Sequence, residues 1–218
     1  MAEKPIFFNT EMVQAILDGR KTMTRRVIKT DVVNQFDICP VDGPIAYIDQ
    51  ETGDSYRPED LCRYKVGDVL WVRETWYKNY PHKYGRYFYR ADGEEIDMPT
   101  IYGETIKYGK ADGLKWRPSI HMPKSAARIW LEVTNVRVER VQEISEEDAK
   151  AEGIRSYWAE PHRNDPPFIG AAKELGKDLC STRTKAFSQI WDGLNAKRGY
   201  GWDTNPWVWV ISFERRVG

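Results

Sequence analysis

Two long β-prone stretches limit what this chain can fold into. The first, RIWLEVTNVRVERV from Arg128 to Val141, alternates apolar and polar residues, as a strand with one buried face does. Its alternation changes phase at Thr134 and Asn135, which predicts a β-bulge or a tight turn. The second, NPWVWVISFERR near the end of the chain, is apolar on both faces, which is typical of a strand inside a core. We therefore expect the final strand to pair with one from the middle of the chain.

Three short helices have clear boundary residues. Asn9 or Thr10 can cap the first helix, which should end before Gly19. Ser145 can cap a second helix that is acidic in its first turn and should end at Gly153. A third helix is predicted from about residue 182. These helices are too short to persist alone, so they must dock on the strands.

The remaining segments predict two further strands and several loops. The stretches KVGDVLWVRETW and RYFYRAD each favour a short strand. Segments 31–64, 93–116 and 155–180 are rich in turn-forming residues or mostly irregular, and we interpret them as loop insertions. The predicted fold class is α+β: one domain over residues 1–218, built as a small β-barrel with flanking short helices.

Composition restricts the partners. Lys plus Arg and Asp plus Glu number 33 each, so the molecule has no net charge and any nucleic-acid contact needs a local basic patch. No apolar run reaches the ~18 residues of a transmembrane helix, so we expect no membrane association. The three cysteines are widely spaced and match no standard zinc pattern. They predict a cytoplasmic protein without disulfides, metal or other cofactor.

A basic, hydroxyl-rich cluster follows the first helix. In GRKTMTRR, four cations surround two threonines directly after the predicted helix stop. A solvated helix end is one interpretation, since cations are favourable near a helix C-terminus without any function. A binding or catalytic site is the other. The cluster consists of Arg20, Lys21, Thr22, Thr24, Arg25 and Arg26.

Four stretches together resemble one known family. They are GRKTMTRR, GDVLWVRETW, RIWLEVTNVRVERVQEISEEDAKAEGI and WVWVISFERR. This combination is similar to the ASCH domain, a small β-barrel of the PUA-like superfamily associated with RNA and modified nucleosides. The longer stretch RPSIHMPKSAARIWLEV is similar to ASCH proteins encoded by bacteriophages and prophages. The resemblance covers most of the chain outside the three predicted insertions.

The resemblance implies a catalytic set, because related bacterial enzymes are amidohydrolases that remove the acetyl group from acetylcytidine. By motif, the proton acceptor falls on Lys21, the nucleophile on Thr24 and the proton donor on Glu152, with Glu74 as the alternative donor. A lysine can act as a base only if burial or nearby positive charge lowers its pKa from about 10.4. A tight turn after Gly19 is needed to bring Lys21 and Thr24 together.

Other polar and aromatic residues are candidates for substrate binding. The predicted partner is a modified nucleoside or RNA, and no obligatory protein partner is expected. A non-catalytic RNA-binding module and a ribonuclease remain alternative functions. The candidate binding residues are Arg20, Thr22, Arg26, Arg73, Glu74, Trp76 and His121.

Overall fold

In the computed structural model of this chain, the described residues fall into ten ranges. They are 2–29, 36–39, 46–49, 52–56, 58–78, 87–93, 96–99, 105–108, 115–154 and 182–216. The predicted insertion at 155–180 lies outside the described residues.

The described residues form twelve strands and four α-helices. In chain order they are β1 (Glu3–Phe7), α1 (Thr10–Leu17), β2 (Met23–Val27), β3 (Phe36–Cys39), β4 (Ala46–Asp49), β5 (Ser55–Tyr56), α2 (Pro58–Leu61), β6 (Val69–Arg73), β7 (Trp76–Lys78), β8 (Tyr87–Tyr89), β9 (Ile96–Pro99), β10 (Thr105–Tyr108), β11 (Trp130–Arg140), α3 (Glu146–Ala151), α4 (Arg183–Asn195) and β12 (Trp207–Arg215).

A five-stranded mixed sheet forms the centre of the molecule, with the strand order β1-β6-β11-β12-β2. The β1–β6 pair is parallel and the other pairs are antiparallel. The ladder between β11 and β12 changes register between Val133 and Asn135, which confirms the predicted bulge. The expected pairing of the final strand with a strand from the middle of the chain is confirmed as well.

Strand β12 is buried on both faces, as its sequence predicts. Val208 and Val210 belong to a core cluster with Phe187 and Trp191 of α4. Ile211 and Phe213 belong to a second cluster, which also contains residues of α1, β1, β6 and β11. Val208 and Val210 face one side of β12, and Ile211 and Phe213 face the other, because neighbouring strand residues alternate. Helices α4 and α1 therefore pack on opposite faces of this strand.

The helix boundaries match the sequence. The side chains of Asn9, Ser145 and Thr182 each accept a hydrogen bond from a backbone amide in the first turn of α1, α3 and α4. Gly19 and Gly153 follow α1 and α3 with positive φ angles of 72° and 92°. Such angles are easy for glycine and costly for other residues, which explains why both helices stop where they do.

The expected barrel does not close by hydrogen-bonded strands. Within the described residues, β1 and β2 are the two edges of the sheet, and no ladder joins them. Instead, the guanidinium of Arg26 donates to the backbone oxygen of Phe7 at 2.8 Å. A long side chain therefore spans the gap, whereas a ladder requires backbones about 4.8 Å apart. A closed barrel is not observed in the described residues, and the α+β class is confirmed.

Two segments interpreted as irregular contain short paired strands. Strands β3, β4 and β5 form one small sheet within 31–64, and β9 pairs with β10 within 93–116. Strands of two to four residues show too little alternation to be read from sequence, and it is their pairing that defines them. That these segments are insertions stays a prediction.

Candidate active site

A buried ion pair joins the end of α1 to the end of α3. The ammonium nitrogen of Lys21 lies 2.6 Å from Oε2 of Glu152, and the two side chains are 0% and 5% exposed. The same nitrogen donates to the backbone oxygen of Glu152 at 3.0 Å. The two residues also form an isolated antiparallel β-bridge, so backbone and side chains hold the same contact.

Local turns explain why these two residues meet. After Gly19 the chain reverses, and the amides of Arg20 and Lys21 both donate to the backbone oxygen of Ala15 at 2.9 Å. On the other side, a Cβ at Gly153 would lie 3.0 Å from Cβ of Ala15 and 3.2 Å from Cβ of Lys21. Only glycine fits this approach without displacement. The tight turn expected after Gly19 is present, and it directs Lys21 toward Glu152.

The environment of Lys21 favours loss of its proton. Burial lowers its pKa below the usual 10.5, the Glu152 carboxylate opposes that change, and the positive charges of Arg26 and Arg25 add to it. Both basic side chains approach the ring of Phe8. The ring centroid lies 5.7 Å from the amine nitrogen of Lys21 and 5.2 Å from the guanidinium carbon of Arg26. An amine in this environment can serve as a base at a lower pH than a surface lysine.

The lowered pKa of Lys21 makes a prediction about stability. Between the folded-state pKa and 10.5, the unfolded chain binds a proton that the folded protein does not, so the free energy of unfolding rises with pH. We expect urea denaturation between about pH 7 and about pH 10 to show this rise in wild type relative to Lys21→Met. Parallel pH profiles for the two proteins would contradict the lowered pKa.

Arg25 holds the Glu152 end of the site through a network of carboxylates. Its side chain is 0% exposed and lies 2.6 Å from Asp148 and 2.9 Å from Glu139. Arg137 shares both of these carboxylates. The distance from Arg25 to Oε1 of Glu152 is 3.5 Å, and this oxygen has no hydrogen-bond partner although it is buried. A buried acceptor without a partner is costly, so it is suited to receive a donor from a ligand.

Glu152 also faces a pocket of about 320 Å³ between β2 and α4. Thr24, which is 2% exposed, contributes to the floor of this pocket from β2, where it pairs with Ile211. The pocket thus brings together the predicted nucleophile and the predicted acid. Its lining residues are Met12, Thr24, Arg25, Arg26, Val27, Lys29, Glu152, Phe187, Ile190, Trp191, Leu194, Asn195, Arg198 and Tyr200.

The predicted contact between Lys21 and Thr24 is not made. Both residues are described, and the hydrogen bonds of the Lys21 amine go to Glu152 alone. Lys21 lies behind Glu152 and is not part of the pocket lining. Glu152 therefore stands at the boundary, bound to the amine on one side and open to the pocket on the other.

Arg20 and Thr22, two predicted binding residues, do not line the pocket. Arg20 donates to Asp18 at 2.9 Å and to the backbone oxygen of Gly153 at 2.9 Å, which ties the α1 turn to the α3 turn. Thr22 is exposed, and its amide donates to the backbone oxygen of Ala151. These contacts brace the Lys21–Glu152 pair from outside.

Four other predicted binding residues lie together around β6 and β7, away from the pocket lining. Glu74 is 1% exposed and receives two hydrogen bonds from Arg128, at 2.9 and 3.0 Å. Burial raises the pKa of Glu74, and Arg128 counteracts this effect. The alternative acid is therefore already engaged with an arginine, whereas Glu152 is engaged with Lys21. The other three residues are Arg73, Trp76 and His121.

Trp76 does not present a free face for stacking. It is 3% exposed and belongs to a small core cluster with Met122 and Ala126, and its ring centroid lies 5.7 Å from that of Tyr87. Trp76 stays a predicted binding residue, but in this structure the side chain is buried next to the paired strands β7 and β8. Of its neighbours, His121 is exposed and Arg73 stacks over Phe7 at 4.8 Å.

Sequence reasoning missed the pocket wall that α4 provides and two cations of the pocket lining, Lys29 and Arg198. The apolar residues of α4 that line the pocket are Phe187, Ile190, Trp191 and Leu194, and Leu194 is 50% exposed. A stripe that continues past the buried residues was the available signal, because an apolar face wider than its covering often lines a groove. Arg198, a further lining residue, gave no signal in the sequence.

The described residues contain no group of three or more His, Cys, Asp and Glu side chains that could hold a metal ion. Burial raises the pKa of the Cys62 thiol and keeps it protonated. No helix in the described ranges is long and apolar enough to cross a membrane.

Comparisons with known proteins give one structural match. No family model matches the chain, and no curated protein matches it. Among solved structures, the chain is similar to the ASCH domain from Lactobacillus crispatus JV V101, with 12% sequence identity and a TM-score of 0.37. The match covers 98% of this chain and 79% of that one.

Proposed function

We propose that this chain is an amidohydrolase of the ASCH type in the PUA-like superfamily, in the longer form resembling bacteriophage proteins. Its substrate is an acylated cytidine or a related modified nucleoside. One observation carries the proposal: a fully buried lysine is paired with a glutamate that faces a pocket containing a buried threonine. Burying both charges costs roughly several kcal/mol per ion, and apolar side chains of similar size would stabilise the fold at least as well. A catalytic role explains why a charged pair occupies this position.

The first step is attack on the acyl carbonyl. A proton shift within the Lys21–Glu152 pair first gives a neutral amine and a protonated carboxyl group. The hydroxyl oxygen of Thr24 then forms a bond to the carbonyl carbon, and its proton passes to the amine of Lys21. Lys21 lies three residues before Thr24, and catalytic hydrogen bonds of this kind often tighten only when substrate is bound.

The second step breaks the carbon–nitrogen bond. Protonated Glu152 donates its proton to the leaving nitrogen, which departs as the amino group of cytidine and leaves an acyl ester on Thr24. Water then attacks the ester carbon and gives its proton to the Glu152 carboxylate, and the proton on Lys21 passes to the Thr24 oxygen as the ester bond breaks. The balance is one amide plus one water to one amine plus one carboxylic acid.

Glu152 is expected to be essential for turnover. We expect Glu152→Gln to lower the release of cytidine from acetylcytidine by about 10²–10⁴-fold, because the amide cannot protonate the leaving nitrogen. Chromatography of cytidine and acetate measures the loss. Glu147→Gln, an exposed residue of the same helix, is the matched control and should retain full activity.

Two outcomes would overturn this proposal. Full activity in Glu152→Gln would remove Glu152 from the mechanism. Absence of turnover by the wild-type protein on every acylated cytidine, combined with tight RNA binding, would support the non-catalytic RNA-binding alternative instead.

A further inference from the structure

The pocket has two chemically different sides. The α4 side is apolar and aromatic, with Phe187, Ile190, Trp191 and Leu194. The opposite side is polar, and beyond Thr24 and Glu152 it is strongly basic. Flat apolar surface on one side and fixed charge on the other match a ligand that joins an aromatic base to an anion.

Three cations of the pocket lining form what we call the basic rim: Arg26 and Lys29 on the β2 side, and Arg198 just beyond the end of α4. In the described part of the chain, no carboxylate forms an ion pair with any of them. Arg25, by contrast, also lines the pocket but is matched by Glu139, Asp148 and Glu152. Within the described residues, the positive charge of the rim is therefore not matched by ion pairs, although Glu152 interacts with Arg26 over a longer distance.

Two members of the rim are held by backbone contacts. Arg26 donates one guanidinium hydrogen bond to the oxygen of Phe7, which leaves its other donors for a ligand. Arg198 ends a 3-10 turn, and the amide of Tyr200 donates to the oxygen of Asn195 just beyond it. The indole of Trp191 fixes the same turn by donating to the oxygen of Tyr200 at 2.8 Å. Arg198 is thus attached to the wall that would contact the base.

We infer that the pocket binds a phosphorylated nucleoside, with the phosphate at the basic rim and the base against α4. The inference rests on the proposed function only for the location of the acyl group, near Thr24. The C-terminal end of α4 carries about half a negative charge, which three full cations outweigh. At about 320 Å³ the pocket is near the lower end of the range for small-molecule sites, so it suits one nucleotide.

Binding measurements test the inference without any need for turnover. In calorimetric titrations of the full chain, cytidine monophosphate should bind at least about tenfold more tightly than cytidine, since charge-assisted hydrogen bonds add to the same base contacts. This preference should shrink as salt rises, because the rim is solvent-accessible. Equal affinities, or no binding of either compound, would overturn the inference.

Variants of the rim locate the phosphate. Arg198→Gln and Lys29→Gln should each reduce the preference for cytidine monophosphate by about tenfold. Lys197→Gln, from the same exposed turn but outside the pocket lining, should leave the preference unchanged. An equal effect from Lys197→Gln would mean that general surface charge is responsible, and would overturn the site.

Two comparisons distinguish this inference from the RNA-binding alternative and from the proposed function. A short oligoribonucleotide that binds more tightly than cytidine monophosphate would overturn the mononucleotide assignment in favour of RNA. A protein that prefers the monophosphate but hydrolyses no acylated cytidine would support the phosphate site and contradict the proposed function. Deacylation with no preference for the phosphorylated substrate would support the proposed function and contradict the phosphate site.

Discussion

Replacement of Thr24 by valine is expected to abolish deacylation and to leave the fold intact. Valine keeps the branched shape that suits a strand, and Thr24 is a β2 residue with 2% exposure, so packing should change little. Loss of the hydroxyl removes the nucleophile, and removal of a catalytic nucleophile lowers kcat by about 10³-fold or more. Steady-state kinetics with acetylcytidine and a thermal unfolding curve measure the two effects separately.

The matched control is Thr22→Val, two residues earlier in the same segment. Thr22 is exposed and lies outside the pocket lining, so this variant should retain both activity and stability. A Thr24→Val protein that folds normally and keeps kcat within about tenfold of wild type would contradict the nucleophile assignment. An equal loss of activity in both variants would mean that a change in the strand, and not the missing Thr24 hydroxyl, causes the loss.

Replacement of Lys21 by methionine is expected to destabilise the protein by about 3–5 kcal/mol, because it leaves the buried Glu152 carboxylate without its partner. The neutral methionine fills similar space, so the cost reflects the lost charge pair. The free energy of unfolding from urea denaturation near neutral pH measures this change. The same variant should also lose deacylation, since no base remains for Thr24.

A double variant isolates the pair from packing effects. Lys21→Met combined with Glu152→Gln removes both charges, and we expect it to recover a substantial part of the lost stability. Lys150→Met, an exposed residue of α3, is the control for a lysine change in this region. A loss below about 1 kcal/mol in Lys21→Met would be typical of a surface pair and would contradict the buried geometry.

Sequence reasoning was most successful where one short segment fixes its own structure. The caps at Asn9 and Ser145, the stops at Gly19 and Gly153 and the start of a third helix near residue 182 depend on hydrogen bonds and φ angles within a few residues. The bulge near Thr134 was visible because a single extra residue reverses the alternation. Short paired strands such as β9 and β10 escaped prediction, since their partners define them.

The candidate site was also only partly predictable from the sequence. The motif GRKTMTRR indicated Lys21 and Thr24, and the end of α3 indicated Glu152. The sequence could not show that the amine binds the carboxylate while the hydroxyl faces the pocket beyond it. It also could not show that Trp76, a candidate binding residue, is buried beside the paired strands β7 and β8.

The sequence by itself determined the α+β class, the helix limits, the pairing partner of the last strand and the residue types of the candidate chemistry. Tertiary structure alone decided that the sheet stays open between β1 and β2, that Lys21 is buried against Glu152, and that α4 and Arg198 complete the pocket. The physical reason is the distance along the chain over which each interaction acts. Caps and alternation act within a few residues, whereas burial and the charge around an amine depend on segments more than a hundred residues apart, as Lys21 and Glu152 are, 131 residues apart.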